Sequence, residues 1–306
     1  MTDRWTGVFP AVTTKFKDDF SLDHHEMERH FNFQIDSGVH GMVVTGTLGE
    51  NGSLTADEKQ EVLKIAVSVS DGRVPVLAGV AENTTAAACG VVETASKNGA
   101  DGFMLLPAML YAADRRETLT HFRTVARMSD RPIMIYNNPV AYKVDVTPEM
   151  FAELADEPTI VALKESSENV RRITDIYNEV GDRYQIFTGV DNLALESLLL
   201  GAVGWVAGLV TAFPKETVAI YDLVQAGRVE EALAIYRWFM PLLHLDVSTK
   251  LVQNIKLTES IEGVGTETVR PPRLPLEGEE RSRVISIVEK AIATRPDLTI
   301  AETAAG

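Results

Sequence analysis

The chain has 306 residues, of which 45% are hydrophobic and 24% are charged, a composition typical of a globular protein with a sizeable core. Its 29 basic and 44 acidic residues give a net charge of −15, which argues against a nucleic-acid-binding surface, because such surfaces carry basic patches. A single cysteine, Cys89, leaves no disulfide framework within the chain, and no apolar run reaches the roughly 18 residues that a membrane span needs. We therefore expect a cytoplasmic protein.

Short apolar runs alternate with amphipathic stretches over the first 227 residues. In chain order, strands are predicted at residues 8–13, 41–45, 74–80, 102–106, 133–136, 160–164, 185–188 and 204–207. Helices are predicted at residues 23–37, 56–69, 86–98, 116–128, 147–154, 168–179, 193–200 and 215–225. Two helix starts are well marked, by a capping box from Thr55 to Glu58 and by Thr147 followed by Pro148.

Eight strands that alternate with eight helices predict parallel βαβ units, and this number closes an α/β (β/α)₈ TIM barrel. An open doubly wound sheet is the alternative. It is less favoured, because no Gly-x-Gly-x-x-Gly turn follows the first strand, where a dinucleotide-binding fold would carry one.

The alternation stops near Gly227. Helices are predicted at residues 229–243, 248–261 and 279–293, with a proline-rich connection at residues 270–275 before the last one. We therefore divide the chain into a catalytic barrel, residues 1–227, and a C-terminal helical segment, residues 228–306. Such a segment is expected to cover one side of the barrel or to supply a subunit interface.

The residues that suggest chemistry follow predicted strands, where a barrel of this kind places its active site. Lys164 ends the sixth strand after five mostly apolar residues, and burial lowers the pKa of an amine that must be neutral to attack a carbonyl. Tyr136 ends the fifth strand and either relays protons or simply packs. The loop at residues 46–49 either offers backbone amides to a carboxylate or is an ordinary glycine turn.

Three motifs occur together: Gly-Thr-Leu-Gly-Glu at residues 46–50, Tyr-Asn-Asn-Pro at 136–139 and Leu-Lys-Glu-Ser-Ser at 163–167. They resemble those of the dihydrodipicolinate synthase / N-acetylneuraminate lyase family, and the resemblance covers nearly the whole chain. It implies a (β/α)₈ barrel with a C-terminal helical extension, usually a homotetramer. It also implies a class I lyase that uses neither a metal nor another cofactor. The expected partner is a small-molecule 2-oxo acid or cyclic imine, with no nucleic acid and no membrane.

The resemblance also implies a role for each matching residue. Lys164 is the expected Schiff-base lysine, Tyr136 the proton relay, and Thr47 a hydroxyl that hydrogen-bonds toward Tyr136. The Val206 carbonyl is expected near the imine. Substrate binding, including the amides that receive the carboxylate, is assigned to Gly46, Leu48, Gly49, Asn138 and Val206.

The chain departs from the pattern of the synthases at three positions. Leu48 replaces the second threonine of the first motif, and Ala141 stands where the synthases carry an arginine for the carboxylate of the second substrate. Met109 occupies the place of a tyrosine donated across a subunit interface, for which Tyr111 is a candidate substitute. Three lost polar contacts argue against lysine biosynthesis and for a less polar second half-site, because unpaired polar groups of a substrate cost binding energy.

Within the family, the segments 136–145 and 46–51 look most like the branch that degrades hydroxyproline. This predicts a 1-pyrroline-4-hydroxy-2-carboxylate deaminase, which eliminates water and releases ammonia to give 2-oxoglutarate semialdehyde. The alternatives in the same family are dihydrodipicolinate synthase and a 2-keto-3-deoxy sugar acid dehydratase or aldolase. A metal-dependent aldolase is a further rival, but the six histidines form no ligand pattern at the strand ends. The last alternative is a non-enzymatic regulator that binds a 2-oxo acid.

Overall fold

The computed structural model describes residues 5–108 and 110–298. Its central sheet has parallel strands in the order β1-β8-β7-β6-β5-β4-β3-β2. The strands are β1 Gly7–Pro10, β2 Met42–Val44, β3 Val76–Val80, β4 Gly102–Leu105, β5 Ile133–Asn137, β6 Ile160–Glu165, β7 Gln185–Thr188 and β8 Gly204–Ala207. A bridge between Ala11 and Val43 joins the first strand to the second, supported by a 3.0 Å bond from Val12 N to Val43 O. The predicted (β/α)₈ barrel is confirmed.

At least one helix follows each strand. The helices that complete the eight units are α1 His24–Asp36, α2 Ala56–Ser70, α3 Thr85–Lys97, α4 Arg115–Met128, α5 Pro139–Tyr142, α6 Pro148–Glu153, α7 Arg171–Val180, α8 Ala194–Leu199 and α9 Pro214–Gln225. The periodicity predicted all of these except α5, because four residues are too few to show a helical period.

The helix starts follow the capping signals in part. Thr55 Oγ1 accepts a bond from Glu58 N at 3.3 Å, and the Glu58 carboxylate accepts one from Thr55 N at 2.8 Å, so the predicted capping box is confirmed. Thr147 does occupy the position before α6. Its hydroxyl, however, donates to the Glu149 carboxylate at 2.5 Å instead of accepting from the helix.

The barrel strands are buried almost throughout, which explains their continuous apolar sequences. Phe9, Met104, Phe187 and Trp205 are among the fully buried core side chains. Among the residues that the structure describes, no helix is long and apolar enough to cross a membrane. The cytoplasmic location stays a prediction.

The described part of the C-terminal segment, up to residue 298, contains the helices α10 Val229–Leu243, α11 Leu251–Ile261 and α12 Gly278–Ala293. Helix α10 packs on α9, and two fully buried ion pairs connect α11 to the barrel. Lys15 Nζ lies 2.5 Å from a Glu259 carboxylate oxygen, and Lys256 Nζ lies 2.8 Å from Glu50 Oε1. Helix α11 is therefore joined by ion pairs to the loops that follow β1 and β2, at the carboxyl ends of the barrel strands.

Candidate active site

A cavity of about 330 Å³ lies at the carboxyl ends of the strands. The parallel register of β5 and β6 places Tyr136 directly beside Lys164. Most of the side chains predicted from the sequence to form the site line this cavity: Thr47, Leu48, Tyr136, Asn138, Lys164 and Val206.

Lys164 is buried at 6% exposure, with Nζ 4.2 Å from the centre of the Tyr136 ring. Burial lowers the pKa of the amine, while the neighbouring acidic groups, Tyr142, Asp246 and Asp191, act in the opposite direction. A lysine with a lowered pKa holds more of the neutral amine that a Schiff base requires.

Gly189, directly after β7, provides the space for Lys164. A Cβ atom at this position would lie 2.2 Å from Lys164 Cε and 2.2 Å from Ser166 Oγ. Any larger residue would therefore displace the amine, so the glycine is required by the close approach of the lysine side chain.

Three hydroxyl groups lie together above the lysine. Thr47 Oγ1 is 2.6 Å from the Tyr142 phenol oxygen, and the rings of Tyr136 and Tyr142 meet edge to face at 5.5 Å. The Asn138 amide donates to the Tyr136 hydroxyl at 3.1 Å. Burial raises the pKa of both phenols, so both are protonated near neutral pH. The prediction that Thr47 bonds toward Tyr136 is corrected, because the phenol of Tyr142 takes that position.

Tyr142 was not identified from the sequence. Asn138 caps the short helix α5 by accepting a bond from Ala141 N at 2.9 Å, and Tyr142 N donates to Asn138 O at 2.9 Å. This single turn brings Tyr142 back over the cavity. The asparagine followed by proline was a recognisable helix start, but nothing in the pattern showed which side chain would reach the site.

Tyr111, the candidate substitute for the cross-subunit tyrosine, lies outside the cavity of its own chain, and its role toward a neighbouring subunit stays a prediction. Tyr111 is 60% exposed and donates to the Glu117 carboxylate at 2.8 Å, at a separate surface pocket. Met109, which stands at the family position, is outside the described residues.

The loop after β2 is a tight turn flanked by two residues with positive φ, Thr45 at 54° and Glu50 at 57°. Gly49 faces away from the cavity, and its carbonyl accepts a 2.7 Å bond from the Thr14 hydroxyl. Neither Gly46 nor Gly49 is among the residues that line the described cavity, whereas Thr47 and Leu48 are. Recognition of a carboxylate by the amides of this loop stays a prediction.

Much of the cavity wall is apolar. Two of the substitutions noted in the sequence, Leu48 and Ala141, both line it. The other apolar side chains of the wall are Ala11, Met104, Val140, Val190, Val206, Val247 and Leu251.

Two aspartates come close to Lys164 and were not predicted. Asp191 is fully buried and accepts bonds from Trp205 Nε1 at 2.9 Å and from Leu209 N at 2.9 Å, which orders the turn after β8. Asp246 enters from the connection between α10 and α11. Its Oδ1 atom lies 2.2 Å from the point where a Cβ on Gly208 would be. An acidic residue three positions after the end of the apolar helix α10 was the sequence signal for Asp246.

Histidine, cysteine, aspartate and glutamate side chains do not form a metal-binding group of three or more in the part of the chain that the structure describes. The functional groups that the lining residues offer are an amine, hydroxyls, an amide and carboxyl groups.

Comparisons with known proteins show the family of this chain. Residues 4–291 match the model of the dihydrodipicolinate synthetase family. A 4-hydroxy-tetrahydrodipicolinate synthase of Methanothrix thermoacetophila is 32% identical over 285 residues, which cover 93% of this chain and 96% of the relative. A DapA-like lyase of Rhizobium meliloti is 33% identical over 273 residues, which cover 89% of this chain and 91% of the relative.

Solved structures show the same architecture over nearly the full length. The dihydrodipicolinate synthase from Aquifex aeolicus superposes with a TM-score of 0.88 at 29% identity, covering 94% of this chain and 98% of that one. The 4-hydroxy-tetrahydrodipicolinate synthase from Methylacidiphilum fumariolicum SolV superposes with a TM-score of 0.90 at 26% identity, covering 98% of this chain and 99% of that one.

Proposed function

The chain belongs to the dihydrodipicolinate synthetase family of class I Schiff-base enzymes, and we propose that its substrate is 1-pyrroline-4-hydroxy-2-carboxylate. The observation that carries this proposal is the pairing of a buried amine, Lys164, with a wall in which Leu48 and Ala141 offer no polar partner. Such a wall suits one compact substrate better than a second substrate that carries its own charged groups.

Lys164 begins the proposed reaction as a neutral amine. It attacks the imine carbon of the cyclic substrate, and the ring nitrogen leaves that carbon as a free amine after accepting a proton. The product is an open chain joined to Lys164 through an iminium, which acidifies the hydrogens on the adjacent carbon because it accepts electron density.

Tyr136 is the proposed base at that carbon. Its phenol first donates a proton, through Tyr142 and Thr47, to the ring nitrogen as that nitrogen leaves, and the phenolate that remains then takes the hydrogen from the adjacent carbon. The resulting enamine expels the hydroxyl group from the next carbon. Tautomerisation places an imine at the far end of the chain. Hydrolysis of this imine and of the bond to Lys164 gives 2-oxoglutarate semialdehyde, so that substrate and one water become semialdehyde and ammonia.

A second candidate is 4-hydroxy-tetrahydrodipicolinate synthase, because relatives at about 30% identity carry that name. A panel of substrates separates the two activities. We expect turnover of the hydroxypyrroline carboxylate and little with pyruvate plus aspartate semialdehyde, sialic acid or 3-deoxy sugar acids. Faster turnover of pyruvate plus aspartate semialdehyde would replace the first proposal with the second.

The direct experiment is reduction with borohydride in the presence of substrate, followed by peptide mass spectrometry. We expect an adduct on Lys164 in the native enzyme and none in Lys164→Arg. The matched control is Lys215→Arg, which changes an exposed lysine and should leave the adduct intact. An unmodified Lys164 with every 2-oxo acid and cyclic imine would contradict the Schiff-base mechanism for this chain.

We further propose that the enzyme is a homotetramer. Large apolar side chains remain exposed on the single chain, among them Leu110 at 65% and Tyr111 at 60%, and such residues are commonly covered by a partner subunit. Light scattering on purified protein tests the subunit number, and a monomer would contradict this part of the proposal.

A further inference from the structure

Asp246 is the acidic side chain that the C-terminal segment contributes to the described cavity. The other carboxylate among the lining residues, Glu168, is exposed at the surface, whereas Asp246 is half-buried. The carboxyl group therefore lies inside the chamber that contains the reactive amine.

The position of Asp246 is unfavourable for a purely structural residue. Among residues 5–108 and 110–298, none donates a hydrogen bond to its carboxyl group. Asp191, by contrast, has its oxygens paired with Trp205 and with backbone amides. A carboxyl group that opens into a cavity without a protein donor is available to a bound ligand, and this arrangement is characteristic of functional sites.

Burial and the nearby charge of Asp191 raise the pKa of Asp246 well above its usual range, although Lys164 acts in the opposite direction. Burial also lowers the pKa of Lys164, and there it outweighs the opposing effect of the two aspartates. Both shifts favour the uncharged forms of this pair, an amine and a carboxylic acid.

The barrel places the two proton-carrying groups on opposite sides of the amine. Tyr136 is on β5, next to Lys164 on β6, whereas Asp246 lies against Gly208 at the end of β8, beyond β7. A substrate joined to Lys164 would therefore have a phenol on one side and a carboxyl group on the other.

The connection that carries Asp246 is held in place. The buried amide of Asn254 donates to Leu245 O at 2.9 Å and to Ser248 Oγ at 3.0 Å, on either side of the aspartate. Gly208 leaves the space that the carboxyl group fills. The group is thus fixed at the cavity wall, as general acid catalysis requires.

We propose that Asp246 is a catalytic residue that donates a proton to the departing hydroxyl group of the Lys164-bound substrate. The inference rests on the function proposed above. The electron pair of the enamine forms a carbon–carbon double bond, the carbon–oxygen bond breaks, and the oxygen takes the carboxyl proton and leaves as water. Asp246 becomes a carboxylate and regains a proton from the water that later hydrolyses the link to Lys164.

The test compares adducts trapped by borohydride on the native enzyme and on Asp246→Asn. Because the variant lacks the acid but retains Lys164, we expect kcat to fall about 10²-fold or more. Its trapped adduct should retain the hydroxyl oxygen, whereas the native enzyme should also yield the adduct lighter by one water. The control, Asp222→Asn, removes a half-buried carboxyl group with a raised pKa outside the cavity and should behave like the native enzyme.

The outcomes separate the two hypotheses. No adduct on native Lys164 would overturn the proposed function and this role with it. A native adduct together with an unchanged share of the dehydrated form in Asp246→Asn would overturn only the role of Asp246. A rise in KM at unchanged kcat would do the same, because it indicates binding rather than proton donation.

A second variant covers the case in which the amide disturbs folding. Asp246→Ala opens space beside Gly208 that a small carboxylic acid could occupy. We expect formate to raise the turnover of Asp246→Ala at least tenfold. Thermal unfolding should show that this variant is folded. Failure of formate, acetate and propionate to restore activity in a folded Asp246→Ala enzyme would count against the proton-donor role.

Discussion

At the scale of single residues, two glycines after neighbouring strands show where the reactive groups lie. Gly189 leaves room for Lys164, and Gly208 leaves room for Asp246. At these two positions the decisive property of glycine is the missing Cβ atom and not its backbone freedom. A glycine whose missing side chain leaves space for a functional neighbour indicates a crowded, preorganised site.

Gly189→Ala should therefore damage catalysis more than folding. The new methyl group would displace the Lys164 side chain, and a displacement of about 1 Å can cost roughly 10²-fold in rate. Steady-state kinetics measures this loss. The control, Gly90→Ala, lies in α3 with no atom near the new methyl group, and should raise helix stability by about 0.5–1 kcal/mol without changing kcat.

Tyr142 provides a second test at this scale. If its phenol passes protons between Tyr136 and Thr47, Tyr142→Phe should lower kcat about 10²-fold with a small change in KM. Tyr184→Phe, which removes a buried phenol outside the cavity, is the matched control and should keep native kinetics. Equal kinetics for the two variants would remove Tyr142 from the relay.

The pKa of Lys164 predicts its reactivity against pH. Tyr136, Tyr142, Asp191 and Asp246 face the amine, and burial outweighs their opposing effect. Because only the neutral amine reacts, acetylation of Lys164 should rise with pH through a midpoint below the usual lysine value of about 10.4. Competitive labelling with acetic anhydride measures this, with exposed Lys215 as the internal standard. A Lys164 midpoint at or above that of Lys215 would refute the prediction.

At the scale of elements, the loops and connections around the barrel complete the site. Helix α5 brings Tyr142 to Thr47, and the connection before α11 brings Asp246 to the cavity. The amphipathic period identified the longer helices, but such short segments carry no period. The sequence therefore predicted neither the helical turn of α5 nor the contacts that these two segments make.

Helix α11 is predicted to stabilise the barrel through Glu259. Glu259→Gln leaves Lys15 buried without its counter-ion, and breaking such a pair costs about 3–5 kcal/mol in the free energy of unfolding. The neighbouring His30 cannot replace the lost negative charge, because an imidazole is neutral or positive; burial lowers its pKa to about 4 and keeps it neutral.

Urea titration followed by circular dichroism measures this loss. The control is Glu93→Gln, which breaks a solvent-exposed pair with Lys97 and should leave the free energy of unfolding nearly unchanged. Similar effects of the two substitutions would show that burial of the Glu259 pair contributes nothing.

At the scale of the whole molecule, residue 227 divides two patterns of secondary structure. Buried ion pairs nevertheless connect the residues on the two sides of this division. Lys15 and Glu50 belong to the barrel loops, and their buried partners, Glu259 and Lys256, belong to the C-terminal segment. The same segment lines the cavity through Asp246. We infer that barrel and segment fold as one cooperative unit.

A chain that ends at residue 227 should therefore not form a stable barrel. It loses the counter-ions of two buried charges and the helix that covers α9. Expression of residues 1–227 and thermal unfolding by circular dichroism test this expectation. A cooperative transition within a few degrees of that of the full chain would show that the barrel is independent.

The sequence by itself determined the order of strands and helices, the barrel class and the strand ends that carry Lys164 and Tyr136. Periodicity and motif spacing are local along the chain, so they can be read without coordinates. Only the tertiary structure decided that Thr47 meets Tyr142, that Asp246 lies against Gly208 and that α11 neutralises charges in the barrel. These contacts join residues far apart in sequence, and their geometry depends on how the closed barrel brings separate loops together.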